Sequence, residues 1–475
     1  MCAMLLMTAV SQAQTVLTLD DAIRIALSEN TAVKVADKEI QRSEYAKKGT
    51  YASLFPQING SASFQRTIKK QVMYMGGDDS SSSGTSSMFS GILDPIMYYI
   101  EQLYAGTGVT YIPYVAPATE SSSSSGGIEV GRLNTYNFGV SASMPVVNPQ
   151  LWESIRISGE AVELAVEKAR ESRLSTVTQV KQAYFAVLLA KEAFNVYKEV
   201  YENAVANFEQ TERRYNVQKA SELDYTRAKA TVANAIPNVY NAESSIILAL
   251  WQLKAVMGID LDEDIDTAGA LADFAQHMFY DIHENDDIDL TGNSTLRQLS
   301  IQADQLASTV RMQKYAYLPT LALSFSYSYN AMANNFKFSQ YNWTPYSYLG
   351  LSLSIPIFSG GKRHSDVKQA VIQKEELALQ KVNTERQLRI GIRQYLQTME
   401  TNMKSYNSAQ DAVATAQKAY DIASKSYNVG RSTLTDLNDA QLALTQSRLN
   451  VSQAIYNFVT AKASLEETIG FDFTE

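Results

Sequence analysis

One stretch of this chain is written twice, and the duplication limits the possible folds more than any composition figure does. GVSASMP at 139–145 returns as GLSLSIP at 350–356, 211 positions later. The flanks repeat in the same order. ENTAVK at 29–34 matches GNSTLR at 292–297, and each Asn is followed 26 positions on by a proline, Pro56 or Pro319. Tyr184 and Tyr395 each lie 39 positions after the proline that ends the heptapeptide. RYNVQKASELD (214–224) then matches SYNVGRSTLTD (426–436), and both copies stop at a glycine, Gly258 and Gly470. Residues 17–258 and 280–470 are therefore read as two copies of one supersecondary unit.

The copies differ mainly between their prolines. Pro56 and Pro145 are 89 positions apart, Pro319 and Pro356 only 37. The surplus includes DDSSSSGTSS and TESSSSSGG, which are too polar to bury a core. An insertion at 67–132 is thus expected to be a loop, with a short helix in MFSGILDPIMYYIEQLYAG between the serine tracts.

The heptapeptides are parts of strands. Tyr136, Phe138, Val140, Ala142, Met144 and Val146 alternate with polar or small residues, as do Leu349, Leu351, Leu353, Ile355 and Ile357. INGSASFQ (58–65) and LALSFSYSYN (321–330) precede them as hairpin partners. Period-two alternation makes each a half-buried strand. Two settings fit: a soluble sheet over a core, or a membrane barrel with its apolar face toward lipid. Strands of about ten residues suit a tilted crossing. Tyr327, Tyr329, Tyr341, Trp343, Tyr346 and Tyr348 crowd the strand ends, as an interfacial girdle would.

The remainder is helix. Residues 150–215 contain no proline and one glycine (Gly159), and 362–428 contain no proline and one glycine (Gly391). An unbroken run of this kind reaches ~100 Å. Phe194, Tyr197, Tyr201, Ala204, Phe208, Thr211 and Tyr215 keep 3-4 spacing, matched by Tyr406, Ala409, Val413, Ala416, Tyr420, Ala423 and Tyr427. That seam packs as a coiled coil. The return stretches 222–257 and 434–469 reach only ~54 Å, and the first stretches, near 31–52 and 294–315, add ~33 Å. Each copy is expected to be two rods, one continuous and one split, capped by a hairpin.

Four strands in lipid leave open edges with unsatisfied backbone groups, so only an oligomer closes them. A dimer's eight strands are filled by side chains, whereas a trimer's twelve leave a channel.

Composition narrows the class. The chain has 41 basic and 50 acidic residues, a net charge of −9. Eleven of the acids lie in 259–296 with no Lys or Arg, so the remainder is near neutral. Nothing has the basic footprint of a nucleic-acid binder. Residues 259–290 read as a solvated acidic inter-repeat linker, since DLDEDID lacks the glycine spacing of an EF-hand. A lone cysteine, Cys2, excludes an intrachain disulfide, and the scattered His277, His283 and His364 imply no metal site or other cofactor. No nucleophile motif or phosphate-cradling loop is present, so an enzyme is not expected. Residues 3–10 are apolar and Ser11-Gln12-Ala13 is a small-x-small signal, so 1–13 read as a start-truncated signal peptide.

The duplicated unit, SIPIFSGGKR (354–363) and YNVGRSTLTDLNDAQ (427–441) together resemble the TolC-type outer-membrane efflux proteins. The likeness covers nearly all of 17–470. It implies a mixed α and β membrane protein: a trimeric 12-stranded β-barrel, four strands per chain, continued by a long periplasmic α-barrel. The implied role is the exit duct of a tripartite efflux or type I secretion system, passing small molecules or proteins from periplasm to exterior. Its partners would be two further copies, outer-membrane lipid, a periplasmic adaptor and an inner-membrane pump. A secreted or periplasmic coiled-coil scaffold is the competing expectation.

The resemblance also implies sites. Asp436 and Asp439 match acids that ring the closed periplasmic entrance, Asp224 is their first-copy counterpart, and Tyr427 matches a tyrosine of the closing network. Against this stands a plainer role for such aspartates, as helix-start acids facing the N-terminal dipole. The docking tips for the adaptor fall on Val217, Gln218, Lys219, Val429, Gly430 and Arg431. Three departures mark this chain. Gln218 stands where the second copy has Gly430, PVVNPQLW replaces the PIFSGG pattern, and a family arginine position holds Ser432, beside Arg431.

Overall fold

The computed structural model describes residues 15–73, 100, 128–278 and 289–471. The signal peptide expected at 1–13, the serine tracts and short helix expected within the insertion, and linker residues 279–288 lie outside the described residues. In chain order the elements are β1 (Thr15–Leu17), α1 (Leu19–Glu29), α2 (Thr31–Ala52), β2 (Gln57–Arg66), β3 (Gln71–Met73), β4 (Ile128–Val130) and β5 (Asn134–Val147). Then come α3 (Pro149–Asn216), α4 (Glu222–Met257), β6 (Ile265–Thr267), a 3-10 turn (Leu271–Met278), α5 (Ser294–Tyr315) and β7 (Thr320–Ala333). A second 3-10 turn (Phe338–Gln340), β8 (Thr344–Ser354), α6 (Lys362–Asn428) and α7 (Leu434–Ile469) complete the described chain. Two compact units result, one helical and one of strands.

In the helical unit α3 and α6 run for 68 and 67 residues, α4 and α7 for 36 each, and α2 and α5 for 22 each. The split rod has a specific weld. Asn30 caps α2, its Oδ1 accepting from Ala32 N at 2.7 Å, while its Nδ2 donates to Val256 O at the end of α4 at 2.6 Å. Asn293 repeats the device, accepting from Leu296 N at 2.9 Å and donating to Thr468 O in α7 at 2.7 Å. One side chain thus satisfies orphan groups of two helix ends at once. The asparagines of ENTAVK and GNSTLR are those residues.

The two long helices start differently. Asn148 caps α3 with Pro149 in its first turn, the favoured place for proline. The second copy uses Gly360 and Gly361, both at positive φ, to turn into α6. PVVNPQLW and PIFSGG are two solutions to one helix start. Along the seam Ala204, Thr211, Tyr406, Ala416 and Tyr427 are buried, and the other seam residues are half-buried except Tyr215, which is exposed.

The main core gathers Tyr184, Phe185, Val187, Leu188, Leu253, Met257, Met399, Ile455 and Phe458. It also contains Ile265, Leu271, Ala275 and Met278. The expectation of a solvated linker over 259–290 is corrected there: β6 pairs in parallel with β1, and the 3-10 turn buries its apolar side. Net acidity hid this, because Asp260, Asp262, Glu263, Asp264 and Asp273 are exposed while a few apolar residues do the packing. Tyr184 fastens the segment, its hydroxyl lying 2.7 Å from Ala268 O and 3.0 Å from Leu17 O. Burial pushes that hydroxyl up to about 12.

The strand unit is one four-stranded sheet in the order β2-β5-β7-β8. The register pairs Ile58 with Ala142, Gly60 with Val140, Ala62 with Phe138 and Phe64 with Tyr136. Asn59, Ser61 and Ser63 meet Ser141, Gly139 and Asn137 on the other face. Apolar therefore faces apolar and polar faces polar, as period-two patterning demands. In the second hairpin Ser324 Oγ donates to Gly350 O and Ser352 Oγ to Ala322 O, continuing the polar face. Gly139 admits β7 closely: a Cβ there would lie 3.0 Å from Ser328 Cβ. The ends of the insertion are not loop, since β3 and β4 form a short ladder with Lys70 3.2 Å from Glu129.

Among the described residues the apolar face has no cover. Leu349, Leu351 and Leu353 are 72%, 66% and 60% exposed, and Ile58, Phe138 and Phe325 are exposed as well. At one end Tyr136 packs against Phe64, Phe338 and Tyr341 with ring centroids 4.9, 5.3 and 5.3 Å away. Among the described residues no helix is long and apolar enough to cross a membrane.

Candidate functional site

The two helical turns are joined in the helical unit through Thr211, Arg214 and Tyr427. Both turns close alike: Gln218 N bonds Tyr215 O and Lys219 N bonds Arg214 O, while Gly430 N bonds Tyr427 O and Arg431 N bonds Ser426 O. This closure needs a left-handed residue. Gly430 supplies it at φ 75°, and Gln218 adopts it at φ 57° with a full side chain. Val217 and Val429 are exposed beside them.

The aspartates sit just past the turns and act first on their own helices. Ser221 caps α4, accepting from Asp224 N at 3.0 Å and donating to Asp224 Oδ2 at 2.7 Å. In the second copy Asp436 Oδ2 accepts from Thr433 N at 2.9 Å and Thr433 Oγ1 at 2.8 Å, and Thr433 Oγ1 accepts from Asp436 N. That is a reciprocal capping box. The bond from the Thr433 backbone, then that from its hydroxyl, holds the Asp436 carboxyl below its usual range. Asp439, one turn on, is exposed. The plainer role is thus in place for Asp436, and its carboxylate stays ionised and solvent-facing.

Tyr427 binds the two turns together. Its ring is buried with Ala228, Leu434 and Leu437, packed by Phe208, Tyr420 and Ala423. Its hydroxyl lies 2.6 Å from Thr211 Oγ1. Arg214, which sequence reasoning did not single out, reaches across from α3: Nη1 donates to Tyr427 O at 3.0 Å, Nη2 donates to Asn428 O, and the guanidinium stands 5.4 Å from the Tyr427 ring centroid. Ser432 Oγ bonds Ala423 O within its own hairpin. The bridging arginine comes from the first-copy helix, and RYNV at 214–217 was the available signal. Asn438 Nδ2 adds a bond to Thr231 Oγ1 at 3.2 Å.

Long paired helices, a four-stranded sheet with two unlike faces and duplicated turns make up one fold. A family model described as "Outer membrane efflux protein" matches residues 112–259 and 289–471, and the chain belongs to that family. Outer membrane protein TolC of Escherichia coli (strain K12) is 22% identical over 348 residues, 71% of this chain and 70% of that one. Cobalt-zinc-cadmium resistance protein CzcC of Cupriavidus metallidurans is 22% identical over 373 residues, 75% of this chain and 86% of that one. The solved structure of the CmeC outer membrane channel of Campylobacter jejuni shares the fold, with TM-score 0.68 at 19% identity over 96% of this chain and 87% of that one.

Proposed function

We propose that three copies of this chain close a twelve-stranded barrel in the outer membrane, continued by a periplasmic α-barrel, and serve as the exit duct of a tripartite efflux or type I secretion system. One observation carries this: the sheet exposes an apolar face along its length, and its outer strands, β2 and β8, have no further partner among the described residues. Open edges are untenable in lipid. Three copies remove them, and twelve strands leave a lumen lined by the Ser, Asn and Gly face. The aromatic cluster at the hairpin end suits a membrane interface. The family's name and those of the relatives support the location.

In this reading the exposed turns Val217, Gln218, Lys219, Val429, Gly430 and Arg431 meet the adaptor, which hands cargo on from an inner-membrane pump. Asp224, Asp436 and Asp439, repeated three times, ring the periplasmic mouth, and the insertion at 67–132 projects outside the cell. A conduit holds its cargo loosely and performs no chemistry.

Mass measurement in detergent should give three chains, and the trimers should form cation-preferring channels in planar bilayers. A monomer, or protein released from membranes by salt alone, would favour the scaffold. Replacing Asp436 and Asp439 together by Ala should abolish the cation preference; unchanged selectivity would remove these residues from the gate.

A further inference from the structure

A cavity of about 420 Å³ opens in the strand unit where β7 turns into β8, lined among others by Arg132, Asn330, Asn334, Asn335, Gln340 and Asn342. Its size lies within the ~300–1,000 Å³ range of small-molecule sites. The lining is unusual in kind: five side-chain amides and one guanidinium, with no Asp, Glu or Lys.

The wall is built before any ligand arrives. Tyr341 Oη donates to Asn335 O at 2.5 Å, Thr344 Oγ1 to Asn330 O at 3.1 Å, and Leu133 N to Asn334 Oδ1 at 3.0 Å. Behind it Asn134, 1% exposed, donates from Nδ2 to Asn335 O at 3.1 Å. Ala331, Ala333 and Tyr341 form a buried cluster with Tyr136 against its back. The functional groups are left over. Among the described residues the side-chain amides of Asn330, Gln340 and Asn342 and the Arg132 guanidinium make no hydrogen bond or ion pair.

Amides offer a donor and an acceptor side by side, the pattern that matches adjacent hydroxyls. A single guanidinium adds a bidentate seat for one carboxylate. Asn330, Met332 and Thr344 stand on the same sheet face as Ser324, Ser326 and Ser328, the polar face. The turn lies at the strand ends opposite those joined to α5 and α6. If the duct reading holds, on which this placement rests, the cavity is at the exterior mouth, facing the lumen.

We infer that this cavity is a binding site for an acidic sugar residue of a polysaccharide outside the cell, its hydroxyls held by the amides and its carboxylate by Arg132. Full-length trimers in a detergent without a sugar headgroup, titrated calorimetrically with trigalacturonate, should bind it saturably. Maltotriose, lacking the carboxylate, and citrate, lacking the sugar, should each bind about tenfold more weakly, the scale of one lost bond. N330A/N342A and R132Q should each weaken trigalacturonate about tenfold while leaving trimer mass unchanged. Absence of saturable heat, citrate binding as well as trigalacturonate, or unchanged affinity in both variants would overturn the site. Conductance of the same trimers without sugar tests the duct separately, so a sample that conducts and does not bind retires the cavity alone.

Discussion

The Tyr427 hydroxyl lies 2.6 Å from Thr211 Oγ1, joining residues 216 positions apart across the two hairpin turns. Thr211 Oγ1 already donates to Asn207 O at 2.8 Å, so Tyr427 is the donor to Thr211. Thr211 is fully buried and Tyr427 nearly so.

That direction makes the two halves of the contact unequal. Tyr427→Phe removes a donor and should cost about 0.5–1.5 kcal/mol. Thr211→Val strands a buried hydroxyl and should cost about 1–3 kcal/mol. Denaturant titration of both variants checks the order, and a double variant no worse than Thr211→Val alone would show that they are coupled. Equal costs would mean that the hydroxyl finds another partner.

Gln218 occupies a left-handed backbone conformation that disfavours a side chain by about 1–2 kcal/mol. Gln218→Gly should therefore raise the unfolding midpoint. Gly430→Ala should lower it, though nothing lies within 4 Å of the added methyl group. If both variants lower it, the Gln218 side chain makes a contact in the assembly that outweighs its strain.

Gly470 has the same conformation in a crowded place. A Cβ there would lie 2.0 Å from Gly292 O, against 2.8 Å from Glu29 O at the matching Gly258. Gly470→Ala should combine backbone strain with overpacking of about 1–3 kcal/mol and destabilise more than Gly430→Ala. Thermal melts of the pair decide it; equal melting points would mean that the α7–α5 joint gives way freely.

Asp436 is expected to matter for stability through its capping box. Its carboxyl is held below the usual 3.8 by the Thr433 backbone and hydroxyl. A depressed folded value gives stabilisation that is present above the unfolded value and lost as pH falls through the lower folded one. The melting-point gap between wild type and D436N should thus be constant from neutral pH to about 4 and close below it. A gap independent of pH throughout would remove the capping box as its cause.

Much of the architecture was legible because it rests on local pattern. Alternation at 136–146 and 348–354 fixes strands by which side each residue must face, whereas Ile355 and Ile357, read as the strand's continuation, lie past its end at Ser354. Proline-free runs with 3-4 spacing fix α3 and α6, and the doubled sequence fixes that whatever forms once forms twice. The asparagine weld was legible only as a repeated motif, since Val256 and Thr468 are its partners through space.

Long-range pairing had no local sign. That β5 lies beside β7, making one sheet of two hairpins, depends on a close approach at Gly139. Helix α1 and strand β1 went unread, as did the burial of Ile265, Leu271, Ala275 and Met278, because apolar residues few in number are buried by neighbours far along the chain. Asp436 shows the same boundary within one residue. Sequence placed it at a helix start, and the folded chain turned its carboxylate back onto Thr433. Sequence determined the elements and their duplication, since backbone sterics and hydrophobic period act over a few residues. Tertiary structure alone decided which ends meet, since hydrogen bonds such as Tyr427 to Thr211 exist only once distant segments are brought together.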